Sequence, residues 1–259
     1  MQDMNDKKLK KYLDSLYIKY HKKYSSGDPV WILHGLKQED IEISAFITSC
    51  YCYGRVGAIC NFISKFIDIT GNKVYEFTAN YSERKDKKYI DELKYRFNSG
   101  DDFSILLSRI RKIINEYGSL EKFFLRGYSD SHNNILPALK EFTPAFRSGV
   151  TDPVSFGYLV PDVNAGSACK RLNLFLRWMI RKDDIDFGLW KGADASKLIM
   201  PVDTHVFRVS RMLSLALRKS CDMKFAVELT EKLKKFDPAD PVKYDFALCH
   251  IGIDGEYPE

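Results

Sequence analysis

One acidic residue lies where a carboxylate can do chemistry, at the start of an amphipathic helix. The stretch PVDTHVFRVSRML, residues 201–213, places Asp203 after a proline and a valine and before apolar residues at helical spacing. An acid at this position can cap free backbone N–H groups of the helix. Its carboxylate can also stabilise positive charge that develops during a reaction. The spacing alone leaves both interpretations open.

A lysine near the start of a second helix is the other candidate for chemistry. In GSACKRLNLFLRWMIR, residues 166–181, Gly166 and Ser167 are predicted to end a loop and cap a helix, with Lys170 in its first turn. An unprotonated lysine amine is a nucleophile, and the positive charge of Arg171 and of the helix N-terminus would lower its pKa toward that state. One alternative is a surface lysine on a basic helix, and another is that Lys170 or Arg171 binds a phosphate.

Both motifs resemble those of the helix-hairpin-helix–GPD superfamily of DNA glycosylases, which includes endonuclease III and the 8-oxoguanine glycosylases. PVDTHVFRV is similar to its catalytic-aspartate motif, and KRLNLFLRWM is similar to the lysine-bearing helix of archaeal 8-oxoguanine glycosylases. The resemblance implies that Asp203 stabilises an oxocarbenium-like transition state. It also implies that Lys170 attacks the anomeric carbon of the sugar.

The segment before the lysine departs from the superfamily pattern. In LVPDVNAGSACKR, residues 159–171, only the hydrophobic–proline start and Gly166 match the glycine-rich hairpin that binds a DNA phosphate. The resemblance therefore implies an altered hairpin. The four cysteines of an iron–sulfur cluster are also missing, because the corresponding region offers only Cys221 and Cys249. We predict no metal and no cofactor.

Two aromatic residues are candidates for stacking on a base that has rotated out of the DNA helix. The stretch EISAFITSCYCYGRVGAICNF, residues 42–62, resembles the superfamily's early helix and the segment that enters DNA, which begins at Tyr53 and Arg55. Trp190 lies in a turn-rich stretch and is predicted to line the base pocket. Ordinary core packing is the alternative for both Tyr53 and Trp190.

Three polar residues near Asp203 are further candidates for contact with DNA. Lys197 shortly precedes the aspartate motif and can meet a phosphate, although a solvated lysine is the alternative. Thr204 and His205 follow Asp203 within the motif, and the resemblance places them beside the substrate.

The elements that must position these side chains are helices. Apolar residues recur every three or four positions, and alternating strand-like runs are nearly absent. The periodic segments are residues 41–69, 103–117, 170–180, 204–217 and 223–236. We predict an all-α fold of about ten to twelve helices. The resemblance implies two lobes, residues 1–125 and 126–259, with the termini able to pack on either lobe.

Composition limits the class of protein. The chain has 259 residues, of which 45% are hydrophobic, and its 40 lysines and arginines exceed its 35 acidic residues with a net charge of +5. Positive charge concentrates in residues 7–23, 84–88 and 170–182, where solvated helix faces are the alternative to a polyanion site. Apolar runs fall short of the roughly twenty residues that span a membrane. We expect a cytoplasmic monomer whose six cysteines are reduced.

The leading hypothesis is a base-excision repair glycosylase that acts on a damaged base, such as an oxidised purine, in double-stranded DNA. Abasic-site lyase activity through Lys170 would accompany it. Two alternatives stay open: a non-catalytic protein on the same fold that binds DNA structures, and a helical protein–protein adaptor.

Overall fold

The chain folds into helices, as the apolar periodicity predicts. The computed structural model describes residues 6–21, 28–147 and 154–254. Within these ranges it contains fourteen α-helices and no strand, so the all-α prediction is confirmed. The helices are α1 (Asp6–Tyr20), α2 (Gln38–Cys50), α3 (Val56–Ile69), α4 (Val74–Asn80), α5 (Glu83–Ile90), α6 (Gly100–Tyr117), α7 (Leu120–Leu125), α8 (Leu136–Phe142), α9 (Pro144–Arg147), α10 (Val154–Leu159), α11 (Lys170–Ile180), α12 (Thr204–Met212), α13 (Met223–Lys234) and α14 (Asp245–Asp254). Several have only four to eight residues, which explains why they outnumber our prediction.

The periodic segments match the helices except at two places. Residues 41–69 form two helices, α2 and α3, because the chain turns between Cys50 and Val56. Helix α12 ends at Met212 rather than at 217, because Ser214 takes a left-handed conformation with φ 54°. Leu215 beyond it is buried, so the apolar pattern continues into a loop that is not helical.

Two helix contacts determine where the candidate residues lie. Helix α11 packs against α2, where the rings of Phe46 and Phe175 meet at 5.1 Å. Helix α14 packs between α12 and α1. Gly252 allows the close approach of α12, since a Cβ atom there would lie only 2.7 Å from Cβ of His205. Helices α11, α12 and α14 are thereby brought to a common centre.

Buried apolar side chains from both predicted lobes belong to one cluster. The division at residue 125 stays a prediction. No helix among the described residues is long and apolar enough to cross a membrane.

A buried arginine lies at the centre of this arrangement. The side chain of Arg177, in α11, is only 3% exposed. Its guanidinium contacts carboxylates of Asp28 at 3.3 Å, of Asp186 at 3.2 Å, and of Asp245 at the start of α14. Burial lowers the pKa of Arg177, but the three carboxylates outweigh it and raise the pKa above its ordinary value.

A second buried arginine extends the cluster. Arg181 contacts Asp186 and Asp240, each at 2.8 Å, and also Asp183. Both interpretations of the positive charge in residues 170–182, a polyanion site and a solvated helix face, are therefore wrong for Arg177 and Arg181. Both point into the protein, where aspartates from other parts of the chain neutralise them.

Loss of the central guanidinium should destabilise the fold. We expect Arg177→Leu to lower the free energy of unfolding by about 3–5 kcal/mol, because buried carboxylates would lose the positive charge that compensates them. Urea unfolding followed by circular dichroism measures the change. The matched control, Arg111→Leu, alters an exposed arginine of α6 and should change it by about 0.5 kcal/mol or less. Equal effects of the two substitutions would contradict the role of the cluster.

Candidate functional site

A single cavity contains most of the residues that the sequence indicates. Its volume is about 550 Å³, within the usual range for small-molecule sites. Six of the predicted site residues line it: Tyr53, Lys170, Arg171, Asp203, Thr204 and His205. Residues outside the prediction also line it, among them Asp28, Cys52, Tyr158, Asp245 and Cys249.

The two carboxylate oxygens of Asp203 have different contacts. Asp203 directly precedes α12, and its Oδ1 accepts hydrogen bonds from the backbone N–H groups of His205 and Val206, each at 2.9 Å. Oδ2 faces the cavity, 3.7 Å from Nζ of Lys170 and 4.0 Å from Sγ of Cys249. The capping prediction is confirmed, and it leaves one oxygen available for chemistry.

Lys170 is the first residue of α11, so its predicted place in the first turn is confirmed. The predicted cap is wrong. The helix is preceded by Cys169, which has φ 48° and makes no side-chain capping bond. Oγ of Ser167 instead accepts a hydrogen bond from the N–H of Cys169 at 3.2 Å, which forms a turn before the helix.

Gly166 and Ser167 stabilise the loop that precedes α11 and do not line the cavity. Gly166 has φ 81° and closes the 3₁₀ turn Val163–Ala165. Its carbonyl accepts from the N–H of Met223 at 3.0 Å, and Ser167 forms an isolated bridge with Asp222. The loop before α11 is thereby connected to the start of α13, and neither residue lines the cavity.

The charge state of Lys170 differs from our expectation. Burial lowers its pKa, but the negative charge of Asp203 and weaker contributions from other acidic groups outweigh it, so the pKa is raised above its ordinary value. The guanidinium of Arg171 does not reverse this, and its N–H groups donate to the backbone carbonyls of Cys50 and Tyr158. In the protein as it stands, Lys170 is a protonated amine that forms an ion pair.

Asp245 and Cys249 are cavity residues that the sequence analysis missed. They are four residues apart on α14 and therefore share one face of that helix. Burial raises the pKa of Asp245 to about 6, although Arg177 beside it acts in the opposite direction. Burial also raises the pKa of Cys249, which keeps its sulfur a thiol. The i, i+4 spacing of these residues was a signal that could have identified them.

Trp190 lies outside the cavity, so its predicted place in the pocket is wrong. The side chain is 2% exposed, and its ring packs against Phe124 at 5.3 Å and Phe175 at 5.2 Å. Nε1 donates to Oε1 of Glu42 at 2.8 Å. Glu42 also accepts from two backbone N–H groups at the start of α7. Trp190 thus connects α2, α7 and α11, which is a packing role.

Lys197 and Arg55 also lie outside the cavity lining. Nζ of Lys197 donates to the backbone carbonyls of Asp130 and His132 at 2.6 and 2.5 Å, so the lysine stabilises a loop instead of facing a phosphate. Arg55 is exposed at the start of α3, between two residues that do line the cavity. It remains placed for a contact at the cavity rim.

Tyr53 lies in the cavity wall with its ring half-buried. Its hydroxyl donates to Oδ1 of Asn98, and the guanidinium of Arg171 lies 5.4 Å from the ring centroid.

The described part of the chain contains no group of three or more His, Cys, Asp or Glu residues that could hold a metal ion.

Comparison with known proteins gives one match. The model of a family described as Protein of unknown function (DUF2400) matches residues 28–254. That range includes every cavity residue described above. A search of curated proteins finds no match.

Two substitutions at position 203 should separate the effect of the helix cap from the effect of the negative charge. In Asp203→Asn we expect the pKa of Lys170 to fall, because burial is then opposed by one carboxylate fewer, while an amide oxygen still caps α12. Asp203→Ala should lower the pKa similarly and be less stable than Asp203→Asn by about 1 kcal/mol, since the cap is lost. NMR titration of Lys170 and urea unfolding give the two quantities. An unchanged pKa of Lys170 in both variants would contradict the ion pair.

Proposed function

We propose that this chain, which belongs to the DUF2400 family, is a DNA glycosylase and abasic-site lyase of the helix-hairpin-helix–GPD kind. The observation that carries the proposal is the distance of 3.7 Å between Nζ of Lys170 and Oδ2 of Asp203 inside a nucleotide-sized cavity. The fold proposed with it has two lobes and an altered hairpin. Lys170 and Asp203 come from the N-terminal ends of two different helices, which hold a nucleophile and a carboxylate on one wall.

The proposed reaction begins when a damaged nucleotide rotates out of the DNA and enters the cavity. The ammonium of Lys170 first loses a proton, and Oδ2 of Asp203 is placed to accept it. The nitrogen lone pair then forms a bond to C1′ of the sugar. The bond between C1′ and the base breaks, and its electron pair leaves on the base. The base takes up the proton from Asp203, which becomes a carboxylate again.

The covalent adduct then rearranges to an imine. The attacking nitrogen loses a proton, and the C1′–O4′ bond breaks with its electron pair on O4′, which is protonated. Positive charge develops at C1′ during these steps. A carboxylate held beside it by two backbone N–H groups stabilises that charge without having to reorganise.

Surface charge supports a polyanionic substrate. The Arg177 and Arg181 cluster places two arginines and five aspartates inside or partly inside the protein. The remaining surface is therefore more basic than the net charge of +5 indicates. Such a surface attracts the phosphate backbone of DNA.

A second candidate function is DNA binding without catalysis. The raised pKa of Lys170 favours it, because a protonated lysine binds phosphate and does not attack carbon. The two candidates differ in one observable, which is the formation of a covalent imine.

Reduction with borohydride should trap this imine. We expect the parent protein to form a permanent link with a duplex that contains an abasic site, because hydride converts the imine to a stable amine. Lys170→Ala should abolish the link, while Lys182→Ala, which removes an exposed lysine beyond the end of α11, should leave it unchanged. Denaturing electrophoresis separates linked from free protein.

The other outcomes of that assay are also decisive. Equal trapping by Lys170→Ala would assign the attack to a different amine. If nothing is trapped but a panel of damaged duplexes releases free base, water is the nucleophile and Asp203 keeps its role. If neither occurs with duplexes or with single strands that carry the same lesions, the glycosylase proposal fails, and binding without catalysis is the better account.

The rate of trapping should rise with pH, because the raised pKa of Lys170 keeps most of the amine protonated near neutral pH. Below that pKa the unprotonated fraction grows about tenfold per pH unit, so the trapping rate should still be rising at about pH 8 to 9. Single-turnover trapping across this range measures it. A rate that levels off near pH 7 or below would mean that the lysine pKa is lowered and that our assignment of its charge state is wrong.

A further inference from the structure

We propose that exposed aromatic rings beside the cavity bind a second, unpaired base, so that single-stranded DNA is the preferred substrate. This inference rests on the proposed function and names its substrate class. The surface consists of Phe97, Tyr158, Arg96 and Arg171 and is called the outer aromatic surface below. Tyr158 and Arg171 also line the cavity, so the two sites are continuous.

The two outer rings are large, apolar and open to solvent. Phe97 is 52% exposed and Tyr158 is 45% exposed, although their centroids lie only 4.8 Å apart at an interplanar angle of 76°. Tyr53 in the cavity wall stacks on Phe97 at 5.5 Å and meets Tyr158 at 5.0 Å. The three rings form one continuous group that leads from the cavity wall to the surface.

The backbone holds Phe97 outward in a fixed position. Phe97 and Arg96 form the tip of a tight turn that is closed by two hydrogen bonds of 3.0 Å between Tyr95 and Asn98. Arg96 has φ 56°, a conformation that costs free energy for a residue other than glycine. The side chain of Asn98 connects this turn to α6 through Asp102 at 3.1 Å and to the carbonyl of Ser155 at 2.9 Å.

Two arginines give the surface the charge that a nucleotide requires. The guanidinium of Arg171 lies 4.4 Å from the centroid of Tyr158, and that of Arg96 lies 5.8 Å from the centroid of Tyr53. Aromatic rings combined with arginines on a rigid support are the features by which proteins bind single-stranded nucleic acid, through base stacking and attraction of the backbone.

The exposed rings favour an unpaired neighbour over a paired one. In a continuous duplex, adjacent bases cover both faces of each base, so a protein ring outside the cavity has no face to stack on. With one base inside the cavity, the next base can reach the outer aromatic surface only if it is unstacked from its own neighbours. Two consecutive unpaired nucleotides satisfy both sites.

Affinity for a fluorescent single-stranded oligodeoxynucleotide tests the proposal. Phe97→Ala should weaken binding about five- to a hundredfold, which is the usual effect of losing one stacked base, while Phe97→Tyr should restore it. The matched control Tyr89→Ala removes an aromatic ring that is 54% exposed on α5, away from the cavity, and should bind as the parent does. Circular dichroism confirms that each variant is folded.

A second probe separates stacking from other effects. In an oligomer of abasic nucleotides the phosphates remain but the bases are absent, so Phe97→Ala should bind it as well as the parent does. The proposal is wrong if Phe97→Ala loses the same affinity on both probes, if it loses none, or if the parent binds the duplex more tightly than the single strand.

Borohydride trapping keeps this test independent of the proposed function. If Lys170 is trapped while Phe97→Ala binds single strands normally, the outer aromatic surface has no such role and the glycosylase proposal stands. If binding depends on Phe97 and neither trapping nor release of free base occurs, the surface binds single strands and the catalytic proposal fails.

Discussion

A guanidinium surrounded by carboxylates determines the shape of the cavity. Arg177 connects the segment at Asp28, the loop at Asp186 and the start of α14 at Asp245. Each group lies in a region of low polarity, where an unpaired charge is costly. Because α11 also carries Lys170 at its first residue, the contacts that hold Arg177 set the position of the amine relative to α14. The chemistry of the site therefore depends on an interaction two helical turns away from it.

The charge of the candidate nucleophile depends mainly on Asp203, with a smaller contribution from Asp245 of the same cluster. Carboxylates outnumber guanidinium groups around Arg177 and Arg181, and Asp203 adds another negative charge near Lys170. A lysine in this environment keeps its proton even though burial lowers its pKa. An ammonium paired with a carboxylate is a resting state.

Local signals in the sequence were sufficient for part of this description. The starts of α11 and α12, the cap formed by Asp203 and the buried face of α12 follow from periodicity and capping chemistry. The partners of Arg177 and Arg181 do not follow from these signals, because a charged side chain on a helix usually faces solvent. Asp28 is also distant from Arg177 along the chain. Trp190 was assigned to the pocket from its turn-rich surroundings. Its hydrogen-bond partner Glu42 lies on α2, and local sequence patterns do not show that α2 packs beside Trp190.

The distances along the chain between the members of the Arg177 cluster impose an order of assembly. Arg177 is 149 residues from Asp28 and 68 residues from Asp245, so most of the chain must be present before its guanidinium can be neutralised. Contacts of such long sequence separation form late, because chain entropy opposes closing large loops. During synthesis, α11 can form while its arginines remain hydrated. The cavity is completed only when α14 docks, because Asp245 and Cys249 of that helix line it.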